Sequence, residues 1–166
     1  METRRETAGA TLEELEALYR SRLPHFLRVA AAVTGDRDRA YDAVQEAFGR
    51  ALRRRSTYER RGDLEAWLWR FVVNAARDER GRRGGHVSVP AQDQPAANGH
   101  GGERGALVAA ITLLPERQRL ALFLRYYADL DYAGIADALG VARGTVAATL
   151  NAAHAALRRR LEEVPS

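Results

Sequence analysis

The chain has 166 residues, 46% of them hydrophobic, enough for one ordinary domain or two small ones. It has no cysteine, which excludes a disulfide, a thiolate zinc site and a thiol nucleophile. All 26 basic residues are arginine. Eleven of them, against five acids, fall between residues 50 and 83, while the remainder holds fifteen against seventeen, so the net charge of +4 conceals one basic region. Charge this local favours a polyanionic partner. No apolar run reaches a membrane span, and the opening METRRETAGA lacks the apolar stretch of an export signal, so a cytoplasmic protein is expected.

In chain order, Thr11 and Glu14 have the spacing of a capping box before a helix from Leu12, with Leu12, Leu15, Leu18 and Tyr19 as its apolar face. Pro24 is expected to end or kink that helix and to open a second one running to about Val33. Gly35 breaks the chain, and Asp36 can cap a long helix from Arg37 to about Arg55. On it Ala40, Val44, Ala47, Phe48, Ala51 and Leu52 form a buried stripe, leaving Asp42, Gln45, Glu46 and Gly49 outward. The polar loop RSTYERRG follows, and Asp63 can cap a helix, LEAWLWRFVVNAARDERGRR, that is apolar early and basic late.

Residues 84–105, rich in Gly, Pro, Asn and Gln without apolar periodicity, read as a flexible linker. Beyond it, helices are expected at about 106–113 and 116–128, with Pro115 in a first turn, then DYAGIADALGVARGTVAATL. There Ala136, Gly140 and Val146 fall at positions five, nine and fifteen of a helix-turn-helix. A small residue at 136 lets the second helix approach, glycine at 140 permits a left-handed turn, and Val146 buries the second helix against the first. Ile135, Leu139 and Leu150 fill the space between, and Asp129 and Asp131 read as helix-end residues. No alternating strand pattern is present. The expected fold is all-α, with two small helical domains, 11–83 and 106–163, the second a helix-turn-helix.

Taken together, YDAVQEAFGRALRR, AWLWRFVVNAARDERGRR and LLPERQRLALFLRYYADLDYAGIADALGVARGTV resemble regions 2 and 4 of an extracytoplasmic-function sigma factor of bacterial RNA polymerase. The resemblance runs from about Leu15 to Leu161 and implies promoter-directed initiation, with core polymerase, promoter DNA and an anti-sigma protein as partners. It places Asp42, Gln45 and Glu46 against the polymerase clamp helices, where an amide and carboxylates one turn apart suit a basic partner. Tyr58, Arg60, Arg61, Trp67, Asn74, Arg77, Arg80, Arg82 and Arg83 would hold and melt the −10 element, which needs aromatic surfaces, an amide and cations along the backbone. At least one of the two tryptophans should be structural. Leu113, Leu114, Leu120 and Leu124 match a packing core near the polymerase flap.

The second helix of the helix-turn-helix departs from the family pattern. Ala142 replaces a serine cap, and Ala147, Thr149, Ala152 and His154 stand where basic residues are common. Arg143, Thr145, Thr149, Asn151 and His154 remain to read a −35 element weakly, aided by free N–H groups at the helix start. The same alanine-rich face suits a protein contact, and a stand-alone repressor would leave DAVQEAF and the Trp/Arg helix unexplained. Four histidines and scattered acids form no metal spacing, no catalytic triad and no phosphate loop. Neither an enzyme nor a cofactor site is expected.

Overall fold

The computed structural model describes residues 9–83 and 102–163. Its elements are α1 (Leu12–Thr34), α2 (Arg37–Arg53), a 3-10 turn (Arg55–Thr57), α3 (Leu64–Arg83), α4 (Glu103–Thr112), α5 (Glu116–Tyr126), α6 (Tyr132–Leu139) and α7 (Arg143–Glu162). The described residues contain no strand, and no helix among them is long and apolar enough to cross a membrane.

The capping box forms as expected: the Thr11 hydroxyl accepts from the Glu14 N–H, and the Glu14 carboxylate accepts from the Thr11 N–H. Pro24 does not end the helix or open a second one, because α1 runs through it to Thr34. The missing N–H costs about 3 kcal/mol. Phe26 and Val29, both essentially inaccessible, lie just beyond it. Burying such side chains returns about 1.5–3 kcal/mol each, so the core holds the helix together across the proline. Gly35, at φ 75°, closes α1 in the left-handed conformation, and the Asp36 side chain caps α2.

Three leucines expected on an apolar face or in a packing core are exposed: Leu12, Leu52 and Leu113 by 56%, 41% and 63%. Each sits at or next to an end of its helix. Helix α4 begins at Glu103, inside the expected linker, because Gly102 serves as N-cap and Gly105 falls in a first turn whose N–H groups need no intrahelical partner. Pro115 is the N-cap of α5 rather than a residue of its first turn. The rest of the linker lies outside the described residues.

A chain of edge and tilted ring contacts, Tyr19 to Phe48 to Phe26 to Trp69, ties α1, α2 and α3 into one bundle. Helices α4 to α7 make a second, centred on Leu120, Leu124, Ile135, Val146 and Leu150. The two share a continuous apolar core. Helix α3 lies on α6, and α1 on α5. The approach is close enough that a Cβ added at Gly134 would stand 3.2 Å from that of Ala66. Arg22 of α1 clasps the junction, donating to the Glu65 carboxylate on α3 and to the Ala128 carbonyl at 3.1 Å.

Candidate nucleic-acid interface

Helix α2 splits by period. Ala40, Ala43, Val44, Ala47, Phe48 and Ala51 are buried, and Asp42, Gln45 and Glu46 are exposed on the opposite side. Two of those three polar groups already have partners. The Gln45 amide donates to the Tyr19 hydroxyl at 2.7 Å. Glu46 accepts from Arg50 at 3.0 Å, and Arg50 also reaches Asp78 on α3 at 2.8 Å. The outward face of α2 is thus a pre-ordered polar surface rather than a set of loose side chains.

The loop before α3 is built on Tyr58. Only 7% exposed, this ring packs with Ala10, Leu15 and Trp67, and its hydroxyl donates to the Gly62 carbonyl at 2.8 Å. Burial is the main force raising its pKa. A base-stacking role for Tyr58 is therefore corrected to one of support: the loop residues on either side are exposed because their polar chains cannot enter the apolar pocket that Tyr58 fills. Arg60 adopts a positive φ of 55° and forks onto Glu14 at 3.1 and 3.2 Å. That contact, followed by the Thr11 N–H, holds the Glu14 carboxyl below its usual range. Arg61 projects into solvent.

Of the tryptophans, Trp69 is fully buried and structural. Trp67 is half-buried, its ring between Tyr58 and Phe71 with centroids 5.5 and 4.6 Å away. Asn74 is exposed one turn further along. Arg77 and Arg80 are half-buried and share one carboxylate, Glu116 at the start of α5, at 3.4 and 2.8 Å. Arg82 is exposed beside Glu79, and the Arg83 side chain lies outside the described residues.

In the helix-turn-helix, Asp131 caps α6 through the Gly134 N–H, and Gly140 turns the chain at φ 66°. Val146 is wholly buried and Ala136 is 6% exposed, as the spacing requires. Ala142 stands at the N-cap of α7 with no side-chain acceptor. Arg143 and Asn151 are exposed, while Thr145 and Thr149 are half-buried. The Thr149 hydroxyl is turned back onto the Thr145 carbonyl at 2.6 Å. His154 sits 2.9 Å from the Tyr126 hydroxyl. Few polar groups therefore remain on α7 to read bases.

The residues that join the two bundles carry no periodic signal and were not legible in the sequence. Within the second bundle Arg119 is equally unsignalled: 4% exposed, it donates to the carbonyls of Thr112 and Leu114 and so closes the end of α4. Its desolvation is offset by those two hydrogen bonds.

A helix-turn-helix behind a basic, aromatic-led helix defines a DNA-binding protein of bipartite helical build. The family models for sigma-70 region 2 and sigma-70 region 4 match residues 18–85 and 104–163. The RNA polymerase sigma-E factor of Streptomyces coelicolor is 31% identical over 153 residues, 89% of this chain and 86% of its own length. The ECF RNA polymerase sigma factor SigL of Mycobacterium tuberculosis is 31% identical over 169 residues, 95% and 94% of the two chains. Among solved structures, the sigma factor RpoE in complex with the anti-sigma factor NepR from Bartonella quintana matches with a TM-score of 0.70 at 22% identity, over 93% of this chain and all of that one. CnrH in complex with the cytosolic domain of CnrY matches at 0.69 and 19% identity, over 94% and 92%. The chain belongs to the extracytoplasmic-function sigma factors of bacterial RNA polymerase. It binds core polymerase and directs promoter-specific initiation of transcription.

Proposed function

We propose that the two bundles divide this work, the first (11–83) docking on core polymerase and melting the −10 element, the second (102–163) touching the −35 element weakly. Asp42, Gln45 and Glu46 form the polymerase-docking face. Arg60, Arg61, Trp67, Asn74, Arg77, Arg80, Arg82 and Arg83 serve the −10 strand, with Tyr58 holding their loop in shape. Arg143, Thr145, Thr149, Asn151 and His154 are the −35 set. The observation that carries this division is the contrast between α3, whose last turns hold Arg77, Arg80 and Arg82, and α7, whose exposed positions 148, 152 and 155 are alanine. The arginines of α3 follow its aromatic start, whereas those of α7 stand only at its two ends, Arg143 and Arg158 to Arg160, with no arginine from 144 to 157 to follow a phosphate backbone.

A cytoplasmic location and an anti-sigma partner belong to the same reading. One structural neighbour, the sigma factor RpoE, is seen in complex with the anti-sigma factor NepR. Run-off transcription with purified core polymerase and genomic promoter fragments tests the division directly. Scrambling the −10 sequence should abolish the transcript, and scrambling the −35 sequence should only reduce it. Equal loss from both would overturn the asymmetry.

A further inference from the structure

The most informative pair in the molecule joins the two bundles. Arg77 and Arg80, one turn apart on α3, both point at the Glu116 carboxylate, Arg77 through Nε at 3.4 Å and Arg80 through a terminal nitrogen at 2.8 Å. All three side chains are only about a quarter to a third exposed, at 32%, 26% and 25%. A carboxylate held by two arginines offers the oxygens, the negative charge and the spacing that a phosphodiester offers. At its other end α3 is held by the Ala66–Gly134 approach and by Arg22, which binds Glu65 and the Ala128 carbonyl. Helix α3 is thus clasped at both ends by the second bundle.

We infer that Glu116 is an intramolecular competitor for promoter phosphate, keeping Arg77 and Arg80 occupied in a closed resting form that must open before α3 takes DNA. The inference rests on the reading of these two arginines as backbone contacts. In the closed form the pairing satisfies both cations, so a phosphate that displaces Glu116 gains only the difference between two anions. Free protein therefore has a low affinity for DNA. Core polymerase, by binding both bundles in an open arrangement, would separate Glu116 from α3 and release the arginines where promoter strands lie.

The absence of native cysteine allows the closed form to be pinned at will. The Cβ approach between Ala66 and Gly134 lies close to disulfide range, so Ala66→Cys with Gly134→Cys joins the bundles under oxidation. Glu116→Gln, at a partly exposed site, removes the competing charge and disturbs little else. The probe is a short fluorescein-labelled single strand of mixed sequence, because phosphate contacts are indifferent to base. Glu116→Gln should bind it about three- to tenfold more tightly, the scale of one partly buried charged pair. The gain should vanish when Arg77 and Arg80 are also alanine. The oxidised cysteine pair should bind more weakly than its reduced form.

Unchanged affinity of Glu116→Gln overturns the competitor, whether or not the cysteine pair folds. If in that case Arg77→Ala with Arg80→Ala still weakens the probe, the backbone reading of the arginines stands and only the competition falls. If the double alanine variant binds like wild type, that reading falls and the competitor with it. An oxidised pair that binds DNA as well as its reduced form would show that the closed arrangement is itself the binding form, and would equally sink the proposal.

Discussion

Ala142 holds the N-cap backbone of α7, at φ −73° and ψ 155°, yet offers the first turn no oxygen. Its geometry is already that of a serine cap, so Ala142→Ser has nothing to rearrange. It should stabilise the fold by about 1 kcal/mol, which in a chain of this size raises Tm by about 2–4 °C. Thermal melting followed by circular dichroism reads this, and an unchanged Tm would mean that water already serves those N–H groups as well. Glu46 poses the opposite problem, because its carboxylate touches Arg50 and Arg53 on its own helix. Exposed pairs of this kind contribute at most about 1 kcal/mol, so Glu46→Lys should remain folded. Its affinity for core polymerase should fall at least tenfold if a basic partner meets this face, a loss of about 1.4 kcal/mol. Equal affinity of variant and wild type would remove Glu46 from the interface.

The elements themselves were largely legible in the sequence, because their boundaries depend on local chemistry. The Thr11–Glu14 box, the Asp36 cap and the Gly140 turn each follow from side-chain or backbone preference within a few residues. The helix does not end at Pro24 because a non-local quantity, burial of Phe26 and Val29, outweighs a local one. Tyr58 was misplaced for a similar reason: nothing in RSTYERRG shows that Ala10 and Leu15 will come to cover it. The Glu116 contacts were equally invisible, since 36 or more residues separate the partners. On α7 the weak-reader expectation can be tested at one element. Ala147 is half-buried and Ala152 exposed. Ala147→Lys with Ala152→Arg adds two cations at little cost in helix propensity. Promoter binding with core should tighten and lose affinity more steeply with salt, by roughly one unit of slope per added contact. A fall in transcription instead would indicate that this alanine face is covered by protein.

At the scale of the whole molecule, one apolar core passes through both bundles, and this shapes how the protein unfolds. Trp67 and Trp69 both lie on α3, so tryptophan fluorescence reports the first bundle, while far-ultraviolet dichroism reports the helices of both bundles. The two denaturant transitions should coincide, as they do for one cooperative unit; separated midpoints would mean that the bundles part before they melt. The junction also carries a titration. His25 on α1 has its Nδ1 buried without a hydrogen-bond partner. Burial first, then Arg22 and Arg28 beside it, hold its pKa below 6.5, against the weaker pull of Glu65 from α3 and Asp129 from the loop after α5. The folded state therefore prefers the neutral ring. Below pH 6.5 the unfolded chain takes up the proton more readily, so stability should be level above that value and decline as pH falls through the folded pKa. The urea midpoint of wild type, followed on both sides of that value, should drop on the acid side by more than that of His25→Gln, which has no proton to gain. Because Arg22 and Glu65 also clasp the two bundles, charging His25 between them should favour the open form, and the labelled single strand should bind wild type relatively better under acid conditions. Parallel pH profiles for wild type and His25→Gln would assign the acid sensitivity to carboxylates elsewhere and leave the junction without a titrating group.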